Sequence, residues 1–309
     1  MYSDYNILVV GDGMIDEWIE GVAERNEHGR TEMRMVNPVK TRTLGGVYNM
    51  AVNFRSLGAN VCCVAMVPKE STVGNQYIQI ALNQKGIAYN LFASGDYKIT
   101  VQERYFCDDK YKTWVSYSKP AQATNKTVED LFQYLHGDSI VVPDALVIWD
   151  YDEGMLTEST IPMLLLWART NHIPVIVDPK LNNFTKYKDV EILKSNDNEA
   201  LQAVGSNVCL ANKVREELDC KYAIVTRGDK GMSVAGEDVN LFIKSHKVAD
   251  VVCDVGAGDA TLAALTLEYL RTGDIERACE VGNIAGSIAV TNKYCGSITV
   301  EDLENRNAW

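Results

Sequence analysis

Residues 254–267 read Asp254-Val255-Gly256-Ala257-Gly258-Asp259-Ala260-Thr261-Leu262-Ala263-Ala264-Leu265-Thr266-Leu267. Two glycines and an alanine lead straight into a strongly helix-forming apolar run, with a carboxylate at the helix entrance. The first N–H groups of a helix lack intrahelical partners and carry partial positive charge. Small residues in front of them let a ligand approach the backbone, so the stretch suits an anion such as a transferring phosphoryl group. An acidic side chain in that place repels phosphate and needs a reason. General-base chemistry supplies one, with Asp259 taking a proton from an attacking hydroxyl. A helix N-cap supplies another. On this stretch alone the two stand level.

Outward from it, the chain alternates strands and helices. Ile7–Val10 is an unbroken apolar run ending at Gly11, as a buried parallel strand should be. Val47–Leu57 has helical periodicity and stops at Gly58. A strand over 61–67, a helix over 74–85 and a strand near 88–93 follow. The beat returns with a strand at Ala145–Trp149, a helix over 159–170, strands at Pro174–Val177 and Tyr222–Thr226, and a helix near 198–204 between them. Such alternation predicts a parallel sheet covered on both faces. No linker rich in Pro, Gly or Ser divides residues 1–309, so one domain is expected.

Two regions depart from the beat. Residues 14–44 are polar, with strand-like stretches at Met33–Val36 and Val39–Thr43. Residues 97–118 alternate polar and apolar side chains in Ile99–Phe106 and Thr113–Ser118, around a turn at Cys107–Lys110. Both read as antiparallel strands exposed on one face. Together they form either a small sheet projecting as a lid or two unrelated surface hairpins.

Composition narrows the partners. A net charge of −12 and a pI near 4.9 argue against a nucleic-acid surface or an anionic membrane as partner. A few local cations would still suffice for a phosphorylated ligand. No apolar run approaches the roughly 20 residues of a bilayer span, and the N-terminal residues lack the basic head of a secretory signal. The eight cysteines contain no Cys-x-x-Cys and read as buried thiols in a reducing cytoplasm. His28, His136, His172 and His246 are dispersed, which speaks against a transition-metal site.

Four further motifs carry chemistry. Gly11-Asp12-Gly13-Met14-Ile15-Asp16 lacks the third glycine of a dinucleotide loop and places an acid in the turn. Asp12 and Asp16 instead suit sugar hydroxyls at a strand's C-terminal end, or a capped turn. Gly45-Gly46-Val47-Tyr48-Asn49 opens the first long helix, and Asn49 offers both a donor and an acceptor. Asn196-Asp197-Asn198-Glu199 sets an amide and a carboxylate three residues apart. They suit Mg²⁺ held through its waters, or helix capping. Val225-Thr226-Arg227-Gly228 with Gly231 ends a strand in a polar turn, where Thr226 and Arg227 can meet nucleotide phosphates. A plain solvent-facing hairpin reads the same way.

The order of these motifs resembles the ribokinase-type (PfkB) carbohydrate kinase family over essentially the whole chain. The matching stretches are the early acidic turn, Gly45-Gly46 with Asn49-Met50-Ala51-Val52-Asn53, Leu57-Gly58, Asn196 with Glu199, Val225–Gly231 and Gly256-Ala257-Gly258-Asp259. The resemblance implies a ribokinase-like three-layer α/β sandwich with a mainly parallel central sheet. Segments of about 14–44 and 97–118 would form a small β-sheet lid over the sugar. It implies Asp259 as catalytic base, with the N–H groups of Gly256, Ala257 and Gly258 stabilising developing charge. Asp12, Asp16, Gly45, Gly46, Asn49, Arg104 and Asp150 would hold the sugar. Lys180, Asn196, Glu199, Thr226, Arg227, Gly228, Gly231 and Asn283 would serve ATP and Mg²⁺, the metal resting on Asn196 and Glu199 through water. A cytoplasmic enzyme, and a homodimer through the lid, belong to the same expectation.

Within the family the chain is similar to heptose-7-phosphate kinases, the sugar-kinase half of ADP-heptose synthases. Val9–Asp16, Trp149-Asp150-Tyr151 with Gly154, Val177-Asp178-Pro179-Lys180 and the tail Ala285–Asn305 carry that similarity. No His-x-Gly-His occurs, so the nucleotidyltransferase activity is expected to be absent. Two departures stand out. Val255 replaces the usual Thr or Ser before the Gly-Ala-Gly-Asp loop, and Arg25–Arg30 lacks a Ser-Pro-Glu-Ala-Pro-like segment. A fructose-, ribose- or nucleoside-type kinase, and a non-catalytic sugar- or nucleotide-binding protein of the same fold, are the alternatives.

Overall fold

Strand β1 (Asn6–Gly11) divides two hydrophobic cores. Ile7 and Val9 belong to one, Leu8 and Val10 to the other, so the strand is apolar on both sides and its sequence shows no alternation. In the computed structural model, described for residues 1–24, 34–70, 72–107, 110–113, 121–138, 140–205, 209–248 and 250–306, β1 pairs in parallel with β4 (Asn60–Pro68) and β8 (Ala145–Trp149). Beyond β4 lies β5 (Ala88–Ser94), also parallel. On the other side β9 (Val175–Asp178), β10 (Ile192–Asn196) and β11 (Tyr222–Thr226) continue the parallel sheet. An antiparallel pair, β12 (Met232–Ala235) and β13 (Asn240–Ile243), closes that edge. The described residues thus form a sheet in the order β13-β12-β11-β10-β9-β8-β1-β4-β5.

Helices cover both faces. On the Ile7/Val9 side lie α1 (Val47–Ser56), α2 (Val73–Gln84), α7 (Ala257–Thr272), α8 (Ile275–Ala289) and α9 (Val300–Arg306). On the other lie α3 (Asn125–Leu135), α4 (Thr160–Thr170), α5 (Asp197–Val204) and α6 (Leu210–Leu218). This is the expected three-layer α/β sandwich with a mainly parallel sheet. Helix α7 is buried from Ala260 through Tyr269, as an element apolar all round must be. Among the described residues no helix is long and apolar enough to cross a membrane.

The small sheet has the order β3-β2-β6-β7, formed by β2 (Gly13–Glu24), β3 (Arg34–Gly46), β6 (Thr100–Cys107) and β7 (Lys110–Thr113). Two expectations change here. The polar stretch from residue 13 to 24 is itself a strand, and β2 pairs with β6 in parallel, not antiparallel. The chain crosses the main sheet through β4 and β5 before β6 begins, and a crossover of that length returns a strand in the same direction. Of the expected strand at Thr113–Ser118, only Thr113 lies within the described residues. The helices α3, α6 and α8 and the β12–β13 pair were not anticipated. Trp18, fully buried, seats the small sheet on the body: its ring stacks 5.8 Å from Phe106 and lies 5.2 Å from Tyr294.

A second anchor fastens the N-terminus to α7. Tyr2 Oη donates to Glu268 Oε2 at 2.9 Å, and Arg271 approaches the same carboxylate bidentately at 2.6 and 2.8 Å. Arg271 chiefly, then Tyr2, hold the Glu268 pKa below its ordinary 4.5 against the opposing effect of burial. The folded state therefore binds the proton less readily than the unfolded chain. The stability is fully present above 4.5 and lost as pH falls through the lowered folded value. Glu268→Gln is expected to lower urea stability at neutral pH by about 1.5–3 kcal/mol, a deficit that shrinks in acid. Equal stability at neutral pH would contradict the anchor.

Candidate active site

The C-terminal ends of parallel strands meet the N-termini of helices on one side of an α/β sheet, where backbone dipoles and strand-end side chains converge. In this chain the ends of β8, β9 and β10, the starts of α1 and α7, and one face of the small sheet enclose a cavity of about 220 Å³. Asp16, Gln102 and Arg104 reach it from the small sheet, Asp178 and Lys194 from the main one, Glu199 from α5 and Asp259 from α7. The strand pairing sets Asp16 opposite Gln102 and Trp18 opposite Arg104, so residues of one parity on β2 and β6 share the cavity face.

Asp259 does not cap its helix. The N-cap is Gly256 at φ 83°, a left-handed conformation that favours glycine, with no side-chain cap. The Asp259 carboxylate turns into the cavity instead. Its Oδ2 accepts from Asn49 Nδ2 at 2.5 Å and its Oδ1 from Trp149 Nε1 at 2.9 Å. Burial raises its pKa to about 6; the Asn49 contact opposes the rise, nearby Asp178 adds to it, and Lys194 and Trp149 oppose it. That places the carboxyl near the working range of a general base at neutral pH. Below it, Lys194 Nζ donates to Asp178 Oδ2 at 2.5 Å, and a Cβ placed on Gly258 would lie 3.1 Å from that ammonium. Burial works against the Lys194 charge, but Asp178, Glu199 and Asp259 outweigh it and hold its pKa above the ordinary value. A permanent cation therefore sits beside the helix entrance.

The small-sheet side is also paired. Arg104 Nε donates to Asp16 Oδ1 at 2.6 Å and Arg104 Nη2 to Gln102 Oε1 at 2.5 Å, while its guanidinium lies 5.4 Å from the Trp18 ring centre. Cys295 Sγ lies 3.4 Å from the other Asp16 oxygen. Opposite, Trp149 stacks on Tyr151 at 4.9 Å and 7°, and Lys180 Nζ sits 4.3 Å over the Tyr151 ring. Lys180 also bonds Glu199 Oε1 at 2.7 Å.

Of the residues expected at the site, Asp16, Gly45, Gly46, Asn49, Arg104, Asp150, Lys180, Asn196, Glu199, Gly256, Gly258 and Asp259 line this cavity. Asp150 does so while bound by Tyr187, Asn183 and the Asp152 N–H, and burial, then Asp12, raises its pKa to about 7. Asp12 does not line this cavity. Its buried carboxylate accepts the N–H groups of Tyr151, Glu153 and Met155 at 2.9, 3.1 and 2.9 Å, so it holds the loop after β8. Asn49 lines the cavity while its amide N–H binds Asp259. Asn196 and Glu199 do form the capping box of α5, each side chain accepting the other's N–H. Ala257 lies in the same turn without lining the cavity. Thr226, Arg227, Gly228, Gly231 and Asn283 lie outside its walls. Thr226 sits beside Asn196 in the β10–β11 register, Arg227 and Gly231 close a turn, and Asn283 holds Lys244 O at 2.6 Å.

Trp149, Lys194, Gln102 and Cys295 were missed as site residues. Lys194 had a weak signal, being a cation that directly follows the apolar pair Ile192-Leu193, and it is buried in β10. Trp149 had none, because a tryptophan closing a buried strand reads as core.

The family profile described as pfkB family carbohydrate kinase matches residues 6–302. The chain belongs to this family. It is 27% identical over 305 residues to the bifunctional protein HldE of Hyphomonas neptunium and 29% identical over 310 residues to that of Citrifermentans bemidjiense, covering 96% of this chain in each case. The match spans 62% of each relative's length. Among solved structures, phosphofructokinase-2 from Escherichia coli in complex with potassium superposes with a TM-score of 0.81 at 17% identity over 98% of both chains. Ribokinase from Giardia lamblia gives 0.77 at 16% over 99% of both. These confirm the ribokinase-like fold.

Removing the acceptor that holds three backbone N–H groups should be costly. Asp12→Ala is expected to reduce the stability of this protein by about 1.5–3 kcal/mol in urea titration. A variant as stable as the wild type would show that the loop after β8 does not depend on Asp12.

Proposed function

We propose that this kinase moves the terminal phosphoryl group of ATP to a hydroxyl of a sugar or sugar phosphate, with Asp259 as the general base. The observation that carries the reading is the Asp259 carboxylate. It stands at the entrance of α7, faces the cavity instead of capping its helix, and has a pKa raised to about 6. A protein that only binds ligands has no use for such a group.

The residues present fit a nucleotide and its metal. Gly256 leaves the first N–H groups of α7 without a side-chain cap, and Gly258 is exposed, which suits close approach of phosphate oxygens. The described residues hold no cluster of three His, Cys, Asp or Glu side chains that could bind a metal ion. Mg²⁺ would therefore be held through water by Asn196 and Glu199, beside Lys180. Bound ATP would supply the phosphoryl group and Mg²⁺ would offset phosphate charge. The chain itself would do the rest. Asp259 accepts the proton of the attacking hydroxyl, the helix-entrance amides and Lys194 hold developing charge, and Asp16, Arg104 and Gln102 orient the acceptor. Thr226, Arg227 and Asn283 would serve the outer part of the nucleotide.

A heptose 7-phosphate is the acceptor we favour. The support is the similarity at Val9–Asp16 and Trp149–Gly154, together with the HldE relatives. Coupled ADP release with heptose 7-phosphate, fructose, ribose, fructose phosphates and nucleosides tests the choice; best turnover with any other acceptor would overturn it. Homodimer formation through the small sheet belongs to the same proposal, since β3 is a long edge strand with Val39 exposed.

Asp259→Asn is expected to lower kcat by roughly 10²–10⁴ with nucleotide affinity within a few-fold. Since the base must be ionised, wild-type kcat/KM should rise as pH increases through about 6. Near-normal turnover in the variant would refute the assignment. Glu199→Ala is expected to raise the Mg²⁺ concentration needed for half-maximal rate, and an unchanged metal requirement would remove Glu199 from that role.

A further inference from the structure

The Asp259 carboxylate has two fixed donors of different kinds. Asn49 carries both N–H and C=O on a rotatable amide, whereas an indole N–H is a donor only. We infer that Trp149 is a positioning residue that locks the orientation and charge state of the base, through the hydrogen bond from Nε1 to Asp259 Oδ1. This rests on the assignment of Asp259 as the base.

The ring has nowhere else to go. Trp149 closes β8, and its carbonyl accepts the Asp12 N–H at 3.2 Å. Its indole is 8% exposed and lies flat on Tyr151. Gly46 crowds the same ring, since a Cβ there would lie 3.1 Å from Trp149 Cζ3. A planar group packed between a backbone and a second ring cannot rotate without displacing one of them. With Oδ1 held in this way, the acceptor hydroxyl meets a carboxylate of fixed plane. The small sheet brings Asp16, the main sheet Asp178 and Lys194, and the segment between α8 and α9 Cys295 to the same cavity, and α1 brings Asn49. All of these remain in Trp149→Phe, which keeps a stacking ring, removes the N–H donor and leaves unfilled the space of the larger indole.

Losing a donor to a carboxylate disfavours its charged form, so the base should titrate higher in that variant. The acid limb of the kcat/KM profile is expected to move up by about one pH unit, with KM for ATP nearly unchanged. A residue with only a structural role would lower the rate at every pH and leave the limb in place. A second readout needs no turnover. The sequence has five tryptophans, and the indole ¹H–¹⁵N signal missing from Trp149→Phe identifies Trp149. In the wild type that signal should shift with pH through about 6, and in Asp259→Asn it should not. An unmoved acid limb together with a non-titrating indole signal would overturn the inference while leaving Asp259 as base. Near-normal turnover in Asp259→Asn would instead overturn the base assignment itself.

Discussion

A carboxylate enclosed by protein atoms at the mouth of a buried helix is costly to ionise unless donors and a cation share its charge. Asp259 meets that condition through three elements at once: Asn49 from α1, Trp149 from β8, and Lys194 from β10 at longer range. Those contacts fix where the strand ends and helix starts must stand relative to one another. The surroundings serve the same end. The Asp12 carboxylate holds the loop beyond Trp149, and Val47 donates its N–H to the Asp12 carbonyl at 3.0 Å, setting the start of α1. Asp12 thus acts on the site from behind it.

The cavity is polar, and each of its three cations has a carboxylate partner. Arg104 faces Asp16, Lys180 faces Glu199, and Lys194 faces Asp178. An acidic protein with a net charge of −12 can thereby keep three cations at an anion-handling site without broad electrostatic attraction for phosphate polymers. Buried pairs of this kind give geometry more than stability. They also leave the ammonium and guanidinium groups oriented before any ligand arrives, and preorganised charge is what phosphoryl transfer asks of a protein.

Most of the parallel core was legible because buried strands and amphipathic helices leave periodic signatures, as at Ile7–Val10 and Val47–Leu57. The small sheet was harder to read. Strand β2 carries Asp16, Glu17 and Glu20 among its apolar residues, and the direction of its pairing with β6 depends on a crossover that local sequence does not encode. The site was legible where glycine marked it, at Gly45-Gly46 and Gly256–Gly258. Asp12 and Asp16 looked equivalent in sequence. They separate because one lies at the turn, beneath the Tyr151–Met155 backbone, and the other one turn-length along a strand whose face lines the cavity. Trp149 could not be singled out, since its function depends on a hydrogen bond to a residue 110 positions away.

The central claim is that a base with a raised pKa stands at the entrance of α7. Carboxyl ¹³C titration by NMR, with the Asp259 signal identified by its loss in Asp259→Asn, measures this directly. A midpoint near 6 is the expected result; a midpoint near the ordinary 3.8 would mean that the carboxylate is not enclosed as described, and the account of the site would fail.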